Sequence, residues 1–540
     1  MPPLLVGDVS LRIFASRSLL PALLIVAGLG LCPASSSSAA ATGDAQVAAL
    51  RHRIDHVIVI YEENWSFDGL YAKFPGANGD SSAGTPQLQC PSGTASYAPL
   101  TGLPPALIVA GRPTGPWPCG WQGLSGGAQD MHVPLGMPMK PYDLTAYEPP
   151  SALTGDLWHI FWHEQLQIDN GILEPSSGPP MDKFAEYSSN PGLSVSQYDA
   201  TNLPEGRLAQ TYTMADNYFH SAYGGSYLNH QWLICACTFT WNQPLPKNPT
   251  FVSSWNPATK TLVDANLTTM PQPGATDAPL YVVNTTFTAN SPHPASAAPD
   301  QLLAPVPPSQ KTIGDLLTDH RPSISWKWYS GDWDLALKND PKAIGCASPT
   351  ATDPAPAPKG DCFQFHHQPF AYYERWGTDG SPAKAEHLQD ETNFVSDLQH
   401  GSLPSVSFIK PVGVDNEHPS YATVARGQHH IHDLMQAVCA SPYWKSTVVI
   451  ITYDENGGRW DHVAPPKIDR WGVGTRVPAV IISPYARPHF VDHTQYETAS
   501  ILAFIEQRFG LPALNARDGH ANPLTNAFDF DQAPLECSAP

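Results

Sequence analysis

Two short acidic clusters are the first places in this chain where residue types and spacing could do chemistry. Glu62-Glu63-Asn64-Trp65-Ser66-Phe67-Asp68 follows the apolar run Val57–Ile60, and Asp454-Glu455-Asn456-Gly457-Gly458, then Asp461-His462, follows Val448–Ile451. Carboxylates and an amide oxygen are ligands for a hard divalent cation. Either cluster alone reads as a helix cap or a solvated turn, but two of them, one running into Gly-Gly, read as a metal cage. A third segment, Tyr223-Gly224-Gly225-Ser226-Tyr227-Leu228, sets two glycines before a serine that opens a helical pattern. The free N–H groups and positive dipole end of such a helix suit an anion. Ser226 is a nucleophile if a base or a metal activates it, and an N-cap otherwise. His159, the pair His366-His367, and His418 complete the candidates. For the adjacent pair, phosphate binding is preferred over metal ligation, because the carboxylates already supply a cage.

Those residues need a scaffold. Short β-branched runs occur at His56–Tyr61, Ser323–Tyr329, Ser405–Ile409, Thr447–Tyr453 and Val477–Ile482, with helical patterns at Val424–Cys439 and Thr498–Phe509. Near-continuous apolar runs suit strands buried on both faces. The alternation predicts an α/β fold, a three-layer α/β/α sandwich with a mostly parallel central sheet. Both acidic clusters then fall at carboxyl ends of strands, where open α/β sheets bind ligands. Two stretches at about 242–310 and 343–360, rich in Pro and small residues, read as long loop insertions on a single domain covering 42–540.

Composition narrows the function classes. The chain has 540 residues, 57 of them Pro, with 42% hydrophobic and only 14% charged residues, which fits a globular protein with long loops. Its 29 basic against 49 acidic residues give −20, which argues against nucleic acid or an anionic membrane surface as main partner. Arg12 and Arg17 precede an apolar 13-residue stretch, Leu19–Leu31, and a small-residue tract, Ser35–Ala41, follows. This predicts a signal peptide over 1–41, cut after Ala40 or Ala41, and an exported protein, periplasmic or secreted, without stable membrane insertion. A lipoprotein reading through Cys32 is weaker, since bulky Leu31 stands where a small residue is expected. Eight cysteines remain after cleavage, an even number that predicts disulfides, with Cys346–Cys362 the most local pair. Cys235 and Cys237 lack a second pair at zinc-finger spacing, so a structural zinc is not expected.

The motifs together resemble the bacterial phosphoesterase family that unites phospholipases C with certain acid phosphatases, within the alkaline phosphatase superfamily. Its Glu-Asn-x-Ser-Phe-Asp signature stands at Glu63–Asp68, its Asp-Glu-x-Gly-Gly signature at Asp454–Gly458, and its Asp-His-Val-x-Pro continuation at Asp461–Pro465. The resemblance runs from roughly 55 to 515 and implies an alkaline-phosphatase-like fold. It implies that Glu63, Asn64, Asp454 and Glu455 bind one divalent metal ion (Ca, Mg, Mn or Zn), with Ser226 both nucleophile and ligand. It also implies that His159, His366, His367 and His418 surround the phosphoryl group of a small phosphate ester. Gly224–Gln231 looks most like the acid phosphatase branch. A metal-dependent acid phosphatase acting through a phosphoserine is therefore expected, with phospholipase C or another phosphodiesterase as the alternative. A secreted binding protein that kept the fold is the third reading. Oligomeric state is not legible.

Overall fold

The computed structural model describes residues 36–81, 140–168, 180–185, 187–241, 277–345 and 360–540, with short pieces between them. The chain divides into two compact units, 1–45 and 46–540. The expected signal segment lies almost wholly outside the described residues, and the expected cleavage point falls within a helix, Ser36–Arg53. Among the described residues no helix is long and apolar enough to cross a membrane.

The second unit is built on an eight-stranded sheet. Its strands are β1 (His56–Glu62), β2 (Thr213–Ala215), β3 (Trp326–Ser330), β4 (Leu388–Asp390), β5 (Val406–Lys410), β6 (Thr447–Tyr453), β7 (Ala479–Ile482) and β8 (Phe490–Asp492). They lie in the order β4-β3-β5-β1-β6-β7-β2-β8, and all run parallel except β7. Central β1 pairs with β5 and β6, with Ile58 opposite Ser407 and Val449. Val57–Ile60 and Val448–Ile451 are fully buried, and each such side chain contributes about 1.5–3 kcal/mol by leaving water.

Among the helices are α1 (Phe67–Tyr71), α2 (Phe161–Gln167), α3 (Pro204–Thr211), α4 (Ser226–Cys235), α5 (Val424–Ala440) and α6 (Ala499–Phe509). Of these, α3 packs with α5 and α4 with α6. This is the expected α/β/α class. Two strands start later than their apolar runs suggest. Trp326 opens β3 because it pairs with Val406, where β5 itself begins. Ala479 opens β7 after Pro478, which has no N–H for the ladder.

The 242–310 stretch is less loop-like than expected. Thr240–Trp241, Val252–Asn256, Thr261–Asp264 and Asp277–Val282 make a four-stranded antiparallel sheet. Most of 343–360 lies outside the described residues. Cys362 is disulfide-bonded, while its expected partner Cys346 also lies outside them. Cys235–Cys237 and Cys439–Cys537 are disulfides, so the close pair Cys235 and Cys237 bond to each other.

Candidate active site

The site is assembled where β1, β5 and β6 end. Glu62 and Tyr453 are partners in the last register position of β1 and β6, so the next residues on each, Glu63 and Asp454, leave the sheet side by side. The two chain exits are bound together, Asp454 N donating to Glu62 O at 3.1 Å. Asn64 and Glu455 follow, and all four side chains are fully buried. Gly457 lets the second turn close on the first. Its φ is +61°, and a Cβ there would stand 2.3 Å from the Asn64 carbonyl.

Buried polar atoms are normally paired, and here several are not. Both side-chain atoms of Asn64, Asp454 Oδ2 and Glu455 Oε1 have no hydrogen-bond partner. Burial, then the neighbouring charge of Glu63, pushes Asp454 well above the usual carboxylate range, and burial, then Asp454, does the same to Glu455. Such orphaned oxygens around two disfavoured carboxylates fit a hard cation. Glu63 differs: burial alone would raise it, but His367 and Lys410 hold it well below its ordinary value. Lys410 Nζ is 2.5 Å and His367 Nε2 2.9 Å from Glu63 Oε1.

Ser226 opens α4 as its first helical residue. The cap is Gly225, which has no side chain to bond the helix, so the serine hydroxyl is not spent on capping. Its neighbour is Asp454: burial raises that carboxyl, and the nearby Ser226 hydroxyl works against the rise. The turn before it is clamped from two sides. Gly224 N donates to Glu164 Oε2 at 2.6 Å, and Glu164 Oε1 also takes Thr475 N and lies 2.8 Å from His220 Nε2. Asn229 Nδ2 donates to the carbonyls of Ala222 and Gly224. Gly224 has φ +84°, and a Cβ there would overlap the backbone of Phe161 at 2.1 Å.

A cleft of about 160 Å³ opens in front of Ser226, walled by His159, His366, His418 and Tyr421, with Asn284 and Thr285 from the insertion. His159 and His418 meet edge to face with centroids 5.4 Å apart, and His418 stacks on Tyr421 at 4.3 Å. Burial lowers His418 and brings His366 to about 3, so without a bound anion both are neutral.

His367 stands apart from the other three. It is buried on Glu63 and stacks on His230, centroids 4.7 Å apart and planes 7° from parallel. Glu63, His230 and His367 bring one ligand atom each within 4.8 Å of the others, as do Asp156, His159 and His418. His367 is thus placed beside Glu63, where it could offer a ligand atom, and is not among the residues lining the cleft where the phosphate contact was expected.

Sequence reasoning passed over His230 and Lys410. His230 is four residues after Ser226 and so shares its helix face; its Nδ1 is 2.7 Å from the Ser226 carbonyl, leaving Nε2 without a partner. Lys410 is the residue after the apolar run of β5, a position matching that of the two acidic clusters.

The far halves of the two motifs make a separate knot. Asp68, Asp461 and His462 also gather, but Arg476 lies among them, its Nε 2.8 Å from Asp461 Oδ1 and its Nη2 3.3 Å from Asp68 Oδ1. His462 Nδ1 is 2.6 Å from Asp68 Oδ2.

Phospholipase C B of Mycobacterium tuberculosis is 33% identical over 170 residues, 26% of this chain and 32% of the relative. Non-specific phospholipase C6 of Arabidopsis thaliana is 33% identical over 168 residues, 25% of this chain and 32% of the relative. Non-hemolytic phospholipase C of Pseudomonas aeruginosa is 29% identical over 169 residues, 25% of this chain and 24% of the relative. The matches thus span about a third or less of these relatives' lengths. Among solved structures, a phosphonate monoester hydrolase from Silicibacter pomeroyi matches with a TM-score of 0.28 at 12% identity, covering 61% of this chain and 72% of that one. The Phosphoesterase family matches residues 54–512, which include every side chain placed at the site, and the chain belongs to that family.

Proposed function

We propose that the protein is an exported, metal-dependent phosphatase that hydrolyses small phosphate monoesters through a phosphoserine at Ser226. One observation carries the reading: a serine hydroxyl freed from helix capping, beside Asp454 and lining a cleft walled by three histidines. Glu63, Asn64, Asp454 and Glu455 would hold the metal, with His230 and His367 beside Glu63. A divalent cation held there would lower the pKa of the serine hydroxyl and neutralise a phosphoryl oxygen.

The chain's own residues supply the rest. Asp454 is the carboxyl beside Ser226 and would accept a hydrogen bond from its hydroxyl. First-turn N–H groups of α4 are unpaired within the helix and face incoming negative charge. Oγ forms a bond to phosphorus as the ester oxygen leaves, and water later displaces the serine. A phosphate dianion among His159, His366 and His418 favours their charged forms, so one of them can protonate the departing alkoxide.

The curated relatives favour a second reading, phospholipase C. The cleft favours the first, because its large apolar lining residues are Ile160 and Tyr421. Phosphate release from p-nitrophenyl phosphate and sugar phosphates, measured beside phosphatidylcholine with chelation and metal add-back, decides between them. Clear preference for the lipid would overturn the monoesterase.

A further inference from the structure

Beneath the site lies a second layer of acids that the chemistry above does not use. Glu62, Glu205 and Glu417 are fully buried. The layer is wired to the site through the chain: Glu62 precedes Glu63, Glu417 precedes His418, and Tyr453, which bonds both other acids, precedes Asp454.

Its hydrogen bonds can be counted. Tyr453 Oη is 2.9 Å from Glu205 Oε2 and 3.0 Å from Glu417 Oε2. A phenol has one hydrogen and cannot donate to both. One of the two carboxyls must therefore donate to the tyrosine oxygen. Tyr71 Oη at 2.9 Å and Gln428 Nε2 at 3.2 Å also donate to Glu205 Oε2, so donors converge there and the negative charge belongs on Glu205. Glu417 Oε1 accepts from Gln428 Nε2 at 2.9 Å, which leaves its Oε2 to carry the proton.

Glu417 also shapes the backbone beside the cleft. It sits at φ +71° and Ser420 at +79°, in the left-handed region that non-glycine residues rarely adopt. The turn is tied down by Glu63 N to the Asn416 carbonyl, Trp65 Nε1 to the Glu417 carbonyl and Ser420 N to the Thr154 carbonyl. The Glu417 carboxyl is its anchor into the core, and His418 is carried on the next residue.

We propose that Glu417 is held as a neutral carboxylic acid, sharing one proton with Glu205 through Tyr453, and acts as the positioning residue for His418. The groups facing the pair are Tyr71, Tyr453, Gln428 and Glu62, and Lys410 acts on Glu62. Burial, and then the charge of Glu205, raises Glu417 well above the carboxylate range, and burial raises Glu205 to about 7. A folded-state pKa above the unfolded value gives stability that is complete in acid and is lost as pH rises toward the folded pKa. Alkaline pH would then set two carboxylates against each other across Tyr453 and loosen the turn that carries His418.

The role of His418 rests on the phosphatase reading, but the protonation of Glu417 does not. The test uses Glu417→Gln and Glu417→Ala in the full-length protein. Glutamine repeats the hydrogen-bond directions of a neutral acid, so activity at pH 5 stays within about twofold, whereas alanine strands the Tyr453 and Gln428 partners and loses about tenfold or more. Glu417→Gln also raises Tm over the parent at pH 8 but not at pH 4.5, and it removes a protonated-carboxyl band from the infrared spectrum. Loss of activity in Glu417→Gln equal to that in Glu417→Ala, or a parent spectrum without that band, overturns the proposal. Failure of the parent to hydrolyse any ester would sink the phosphatase reading alone, because melting and infrared readouts do not depend on turnover.

Discussion

The two family signatures each split in half, and the halves meet in different places. Glu63 and Asn64 meet Asp454 and Glu455, where buried oxygens lack partners. Only a few residues further along the same segments, Asp68 meets Asp461 and His462, and there Arg476 bonds both aspartates. The residue types are nearly alike and both groups are deeply buried. What differs is completion. An arginine closes the second cluster with protein alone, while in the first Lys410 and His367 pair with Glu63 and oxygens of Asn64, Asp454 and Glu455 stay without a partner. Buried carboxylates that are fully paired hold a fold together, and buried carboxylates left open mark the place where chemistry is done.

The contrast can be broken from either side. The largest effect belongs to Ser226→Ala, which removes the nucleophile and costs on the order of 10³-fold or more in turnover while circular dichroism and Tm stay near the parent. Next comes Arg476→Ala, which leaves Asp461 a buried charge without its cation and Asp68 with His462 alone, and costs about 3–5 kcal/mol of stability by denaturant unfolding. Asp454→Asn should do the reverse. Activity falls at least as far as the ~10–100-fold that loss of a ligand's outer partner costs, yet Tm without metal does not fall, because a buried like-charge repulsion has been relieved. If Asp454→Asn and Arg476→Ala gave the same pattern of activity and stability, the division between open and closed clusters would be wrong.

The smallest effect concerns His462. Burial would lower its pKa, but Asp68 outweighs burial and raises it. A raised folded pKa gives stability that is present below the ordinary histidine value and is lost as pH rises through the folded one. The Tm gap between the parent and His462→Ala should therefore be widest near pH 6 and narrow by pH 9. A gap that widened with pH would remove the ion pair from the account.

Much of the site was legible because the chemistry sits immediately after long apolar runs. Val57–Ile60 and Val448–Ile451 could only be buried strands, so the acids after them had to lie at one sheet edge. That reasoning could not separate Glu63 from Asp68, since the discriminating residue, Arg476, is 408 positions away from Asp68 in the chain. It also missed His230 and Lys410, whose roles come from contacts with Ser226 and Glu63 made only on folding. The three-residue strands β2, β4 and β8 were invisible for a different reason. They are too short to show a period, and neighbouring strands define them. The insertion was readable as an interruption but not as a small sheet that delivers Asn284 and Thr285 to the cleft.

The account stands most directly on a covalent phosphoserine. Metal-loaded protein mixed with a phosphate monoester, quenched in acid and digested, should yield a phosphorylated peptide carrying the modification on Ser226, and Ser226→Ala should yield none. Phosphate attached to a different residue, or full turnover in Ser226→Ala, would contradict it.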